Sequence, residues 1–125
     1  MAKTIMVVDD SATMTLSLRS SLEMNGYKVL TAADGLQALQ LLKTSPAKPD
    51  LIITDINMPR MGGLELIQAI KAQAGFRFTP ILTLTTESDA AKRDEAKQLG
   101  ATGWLVKPVT GGDLIRLVKQ VVPGA

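Results

Sequence analysis

The chain has 125 residues, the length of one ordinary domain. Hydrophobic residues make up 46% and charged residues 21%, enough for a core, yet no run approaches the roughly 20 apolar residues of a membrane span. Cysteine and histidine are both absent, which excludes disulfides, thiolate and imidazole metal sites, and Ser-His or Cys-His nucleophiles. The net charge of +2 comes from interspersed signs with no basic run beyond Lys92-Arg93, and two Phe, one Tyr and one Trp offer little for base stacking, so neither nucleic acid nor membrane is an expected partner.

Lys3 is followed by only five residues before Asp9-Asp10, too few for a signal peptide, so a cytoplasmic location is expected. Residues 4 to 8 (TIMVV) form an apolar, β-branched run that ends at those two acids, with Ser11 placed to cap a helix. The next segment carries two signals. Ala12, Met14, Leu16 and Leu18 alternate with polar residues and Asn25-Gly26 is a hairpin signal, whereas Leu, Met, Ala, Arg and Glu favour a helix that Gly26 would end. The composition favours a helix over 12–25.

Residues 28–32 alternate like a strand with one wetter face. Leu36, Leu39 and Leu42 then carry a helix that stops before Pro46. Residues 51–54 form a strand apolar on both faces that stops at Asp55, and Pro59 with Gly62-Gly63 imposes a loop. Leu66, Ile67, Ile70 and Ala74 recur at helical spacing until Gly75. Pro80 opens a strand over 81–85, Ser88 is placed to cap a helix running to Leu99, and Gly100 stops it. Residues 104–106 are a short strand before Lys107-Pro108, and Leu114, Ile115, Val118, Val121 and Val122 form a final helical stripe.

Strand then helix, five times, predicts a single α/β domain: a five-stranded parallel sheet with helices on both faces. The first and third strands read as buried on both sides and belong in the centre, while the second suits an edge. Order 2-1-3-4-5 satisfies this and brings Asp9, Asp10 and Asp55 to the switch point, where such sheets bind ligands.

Every strand except the second ends in a functional group: Asp9-Asp10, Asp55, Thr85 and Lys107. Two carboxylates about 4 Å apart repel by about 4 kcal/mol at an effective dielectric near 20, so three on one rim call for a cation. Oxygen ligands alone select a hard ion, and Mg²⁺ is the natural candidate. A carboxylate held by Mg²⁺, a lysine and a hydroxyl suits phosphoryl transfer, with Asp55 as nucleophile, Asp9 and Asp10 as metal ligands, Lys107 pairing with the phosphoryl group and Thr85 donating to it. Taken singly, each residue also has a plainer role: Asp9, Asp10, Asp55, Asn57 and Glu87 as helix caps or strand ends, Thr85 as a strand threonine, Lys107 as a solvated cation, Trp104 as core. Their joint placement favours the chemical role.

VVDDS at 7–11, TDINMPRMGG at 54–63, LTTES at 84–88 and GWLVKP at 103–108 stand in order at four strand ends. In these motifs, and over essentially its whole length, the chain resembles the receiver domain of two-component response regulators, most closely the stand-alone chemotaxis (CheY-like) type with its flavodoxin-like fold. The resemblance implies that Asp55 accepts a phosphoryl group from a phosphohistidine on a sensor histidine kinase. It implies that Asp10 and Asp55 ligate Mg²⁺, with the Asn57 backbone carbonyl, and that Asp9 acts through a bound water. Thr85 and Trp104 match a switch pair, the hydroxyl moving toward the phosphoryl group and the ring following inward. Lys107-Pro108 matches a cis-peptide corner. Asn57 and Glu87 flank the path of the attacking water, which implies fast phosphate loss for a switch, though slow beside a turnover enzyme. Phosphorylation is implied to remodel the surface of the fourth helix, fifth strand and fifth helix.

Two departures stand out: Gly62 replaces an acid common in relatives, which loosens the start of the third helix, and Trp104 replaces Tyr or Phe. The expected protein is a monomeric receiver over 1–125 with no output domain, acting through a flagellar motor switch protein or another motility target, pilus-based motility included, with a phosphatase as further partner. A phosphate sink and a phosphorylation-independent docking domain are the alternatives. A haloacid-dehalogenase-type phosphatase needs a second Asp where Asn57 stands. A flavin or nucleotide carrier needs a phosphate loop where Asp9-Asp10 repel phosphate.

Overall fold

β-Branched and aliphatic runs form the strands, and amphipathic segments between them form the helices. The computed structural model describes residues 2–46, 48–86, 90–122 and 124. The order is β1 (Thr4–Val8), α1 (Ala12–Met24), β2 (Lys28–Ala32), α2 (Gly35–Thr44), β3 (Leu51–Asp55), α3 (Gly63–Lys71), β4 (Ile81–Thr85), α4 (Ala90–Leu99), β5 (Gly103–Val106) and α5 (Gly111–Val121), with a single 3₁₀ turn at Ala74–Phe76. The strands form one sheet of order β2-β1-β3-β4-β5. Every pairing is parallel. The predicted architecture and strand order are both present.

β1, β3 and β4 are buried along their whole length, whereas the edge strand β2 is open at Lys28. Alternation along the central strands splits their side chains between two cores. Ile5, Val7, Ile53, Leu82 and Leu84 pack against Leu18 and Leu22 of α1 and Leu114 and Val118 of α5. Met6, Val8, Ile52 and Ile81 pack against Ala38 of α2, Leu66, Ile67 and Ile70 of α3, and Ala96 of α4.

The segment after β1 is a helix, not a hairpin. Ser11 caps α1 by accepting the Met14 N–H at 3.2 Å, and Gly26 takes φ +88° just beyond the C-cap, the left-handed conformation that favours glycine there. Leu16 remains exposed, so the alternation at 12–18 marks no buried strand face. Two other stripes are corrected. In α2 the deepest residues are Gly35, against the Met61 side chain, and Ala38; Leu39 and Leu42 pack at the core edge as expected, but Leu36 faces out. α3 ends at Lys71, and Ala74 belongs to the 3₁₀ turn that buries Phe76. The proposed cap Ser88 lies outside the described residues. No described helix is long and apolar enough to cross a membrane.

Candidate functional site

Parallel register carries the strand ends to one rim. Val8 is level with Thr54, so Asp9 follows β1 beside Asp55 at the end of β3. Thr85 is level with Val106, so Lys107 leaves β5 one step beyond it. One carboxylate oxygen from each of Asp9, Asp10 and Asp55 lies within 4.8 Å of the others.

Asp55 is fixed at both oxygens. Oδ1 accepts the Ile56 N–H at 2.8 Å, and Oδ2 accepts from Lys107 Nζ at 3.1 Å. The loop after it folds back tightly: the Gly63 N–H donates to the Ile56 carbonyl at 2.8 Å, and a Cβ on Gly63 would lie 2.2 Å from the Asp55 carbonyl oxygen. Only glycine admits that approach. Gly62 is the N-cap of α3, and its carbonyl accepts the Leu66 N–H at 3.0 Å.

Asp9 is almost wholly buried. Its Oδ1 accepts the Ser11 N–H at 2.9 Å, while Oδ2 accepts no hydrogen bond among the described residues and has only the Lys107 ammonium nearby, at 3.5 Å. Burial is the main reason that its carboxyl is pushed above the ordinary range. The Ser11 amide opposes this, the Asp55 and Asp10 charges add to it, and Lys107 works against it. Burial alone would lower the Lys107 ammonium, but hydrogen bonding and charge from Asp55 and Asp9 outweigh it and hold the group above its usual value.

Among the described residues Lys107 is the ammonium paired with Asp9 and Asp55, and no ion pair offsets Asp10, so the trio is short of positive charge. Each carboxylate pair at this separation repels by about 3–4 kcal/mol at an effective dielectric near 20. A buried, unpartnered Asp9 oxygen and an all-oxygen donor set fit a small hard cation such as Mg²⁺.

Thr85 is buried on the same rim and its hydroxyl has no hydrogen-bond partner among the described residues. Trp104 is not core. It lies on the edge strand β5, 45% exposed, with the Arg93 guanidinium 5.2 Å from its ring centre. Asn57 is exposed beside the acids, its Oδ1 accepting from Lys92 Nζ at 2.6 Å. Glu87 lies outside the described residues. The Lys107-Pro108 bond is cis.

Two residues, Arg60 and Lys92, make contacts that the sequence did not foretell. Arg60, with φ +64°, pairs with the buried Asp34, and its Nε donates to Asp34 Oδ2 at 2.8 Å. The Gly35 N–H donates to the Met61 carbonyl at 3.1 Å, so the loop after β3 is tied to the start of α2. Asp34 and Gln37 stand at helix-capping spacing, a legible signal; nothing local marks Arg60. Lys92 is the other, and a cation in the first turn of a helix, against its dipole, is itself a signal.

The response regulator receiver domain family matches residues 5–119 of this chain. The chain is 37% identical over 107 residues to chemotaxis protein CheY1 of Helicobacter pylori, covering 85% of this chain and 86% of that one. It is 32% identical over 119 residues to protein PilG of Pseudomonas aeruginosa, covering 95% and 87%. Among solved structures it is similar to the chemotaxis response regulator CheY4 of Vibrio cholerae, with a TM-score of 0.89 and 43% identity over 98% of this chain and 100% of that one. The chain spans only about half the length of other curated relatives that it matches.

Proposed function

The chain belongs to the response regulator receiver domain family, and from that premise we propose that Asp55 is the phosphoacceptor, receiving its phosphoryl group from a phosphohistidine of a sensor kinase. A carboxylate oxygen of Asp55 bonds to phosphorus as the phosphorus–nitrogen bond breaks, and the imidazole leaves with the bonding pair. The product is an aspartyl phosphate. The observation that carries this reading is the acidic trio, with Lys107 Nζ 3.1 Å from Asp55 Oδ2 and Asp9 Oδ2 without a hydrogen bond among the described residues.

Asp9, Asp10 and Asp55 would hold Mg²⁺, together with the backbone carbonyl of Asn57. When bound, Mg²⁺ offsets the negative charge of the trio and of the incoming phosphoryl oxygens. Lys107 already lies against Asp55 and supplies the remaining counter-charge. Thr85 brings a buried hydroxyl that has no partner among the described residues, and a phosphoryl oxygen would provide one. That hydroxyl reorients toward the new charge and Trp104 follows, which remodels the face of α4, β5 and α5. The target on that face belongs to chemotaxis or another motility system, a reading supported by the chemotaxis relatives.

The test uses a small phosphodonor such as acetyl phosphate and reads intact mass. The wild-type protein is expected to gain one phosphoryl group with Mg²⁺ and none after chelation, and Asp55→Asn none under either condition. Equal uptake by Asp55→Asn would place the acceptor elsewhere.

A further inference from the structure

Beside the acidic trio opens a cleft of about 460 Å³ that Asp10, Asn57, Met58, Pro59, Glu65 and Lys92 help to line. Lys92 crosses to it from α4 and donates to Asn57 Oδ1 at 2.6 Å. An ammonium has only donors, so the contact identifies the amide oxygen, the single acceptor of the Asn57 side chain, as the atom held. Lys92 stands in the first described turn of α4, residues 90–93, which holds no acid and where the helix dipole disfavours a cation. The Asn57 contact and the nearby carboxylates offset that cost.

From this geometry we infer that Lys92 is a positioning residue that lengthens the life of the phosphoryl group by sequestering the Asn57 amide oxygen. The inference rests on the phosphoacceptor reading of Asp55. In the loss step, a water oxygen bonds to phosphorus as the bond from phosphorus to the Asp55 oxygen breaks. The carboxylate leaves with the bonding pair, inorganic phosphate departs, and the proton released by the water passes to phosphate or bulk solvent. A water in the cleft needs an acceptor to orient its lone pair toward phosphorus, and Asn57 Oδ1 is such an acceptor on the cleft wall. While Lys92 engages that oxygen and its stem fills part of the wall, the water is poorly held. Removing the ammonium frees the oxygen and opens the cleft.

The experiment loads wild type, Lys92→Ala, Lys92→Arg, Asn57→Ala and the Lys92→Ala/Asn57→Ala double variant with acetyl phosphate and Mg²⁺. The donor is then removed and the phosphorylated fraction followed by intact mass. Lys92→Ala is expected to lose its phosphoryl group roughly twofold to fivefold faster than wild type, the scale of one solvent-exposed hydrogen bond. Lys92→Arg, which can still donate, restores the slower loss. In the Asn57→Ala background Lys92→Ala has no further effect, because the atom through which it acts is gone. Loss from Lys92→Ala at the wild-type rate overturns the inference and leaves Asp55 as acceptor. An undiminished Lys92 effect in the Asn57→Ala background also overturns it. If wild type itself takes up no phosphoryl group, the acceptor reading fails and the inference falls with it.

Discussion

Asp9 and Asp34 are both buried carboxylates, and their surroundings drive them in opposite directions. Asp34 accepts the Gln37 N–H at 2.9 Å as the cap of α2 and pairs with Arg60. The Gln37 amide first, then Arg60, hold its carboxyl below the ordinary range against the effect of burial. Asp9 has the Ser11 amide on one oxygen and the Lys107 ammonium 3.5 Å from the other, but burial outweighs them and holds its carboxyl above that range. The first acid is satisfied by the protein; the second fits a cation. A depressed carboxyl contributes stability that is complete above its unfolded pKa, about 3.9, and is lost as pH falls through that value toward the lower folded one. Asp34→Asn keeps a capping side chain but has no charge to titrate. Its deficit in urea midpoint relative to wild type is expected to be present at pH 6 and to shrink as pH falls through about 4 to 3. A deficit unchanged over that range would mean that the Gln37 amide and Arg60 do not hold the Asp34 carboxyl below its ordinary range.

Elements meet the site through close backbone approaches, and two glycines show how differently one residue type is used. Gly63 begins α3 against the end of β3, where a Cβ would collide with the Asp55 carbonyl oxygen. Gly112 lies in the first turn of α5 with open space around it. Gly63→Ala is expected to destabilise by about 2–3 kcal/mol, because the atoms that must move are backbone. Gly112→Ala is expected to stabilise by about 0.5–1 kcal/mol, through helix propensity and a less flexible unfolded chain. Chemical denaturation of both variants checks the pair, and equal costs would refute the packing of α3 on β3. The strand-and-helix pattern was legible because each central strand is apolar on both faces and each helix keeps a stripe. The shallower details were not. That Ala38 and not Leu36 is buried depends on which face α2 turns to the core, and the 3₁₀ turn that buries Phe76 on how the chain after α3 closes over it. Neither is encoded in local periodicity.

At the scale of the whole molecule, the sheet brings together residues far apart in sequence and leaves their charges unbalanced. Asp9, Asp10, Asp55 and Lys107 were legible as a site because each follows an apolar run, and parallel strands place such ends on one rim. The partners of Lys92 and Arg60 were not, since each is reached by a tertiary packing that no motif records, even though a cation in the first turn marks Lys92 itself. The imbalance predicts a linkage. Mg²⁺ at ten times its dissociation constant is expected to stabilise wild type by about 1.4 kcal/mol, a rise of a few degrees in melting temperature. Asp9→Asn is expected to be more stable than wild type without Mg²⁺, since it removes a buried charge, and to gain less when Mg²⁺ is added. Equal Mg²⁺ responses in the two proteins would remove Asp9 from the metal site.

Most direct for the central claim is transfer from a phosphorus–nitrogen donor. Phosphoramidate has the same labile bond as phosphohistidine, and peptide mass mapping after brief exposure with Mg²⁺ locates the product. The phosphoryl group is expected on the peptide that contains Asp55, in wild type with Mg²⁺ and not after chelation. Phosphoryl on a different residue, or none where a known receiver domain is modified in parallel, would contradict the assignment of Asp55 as acceptor.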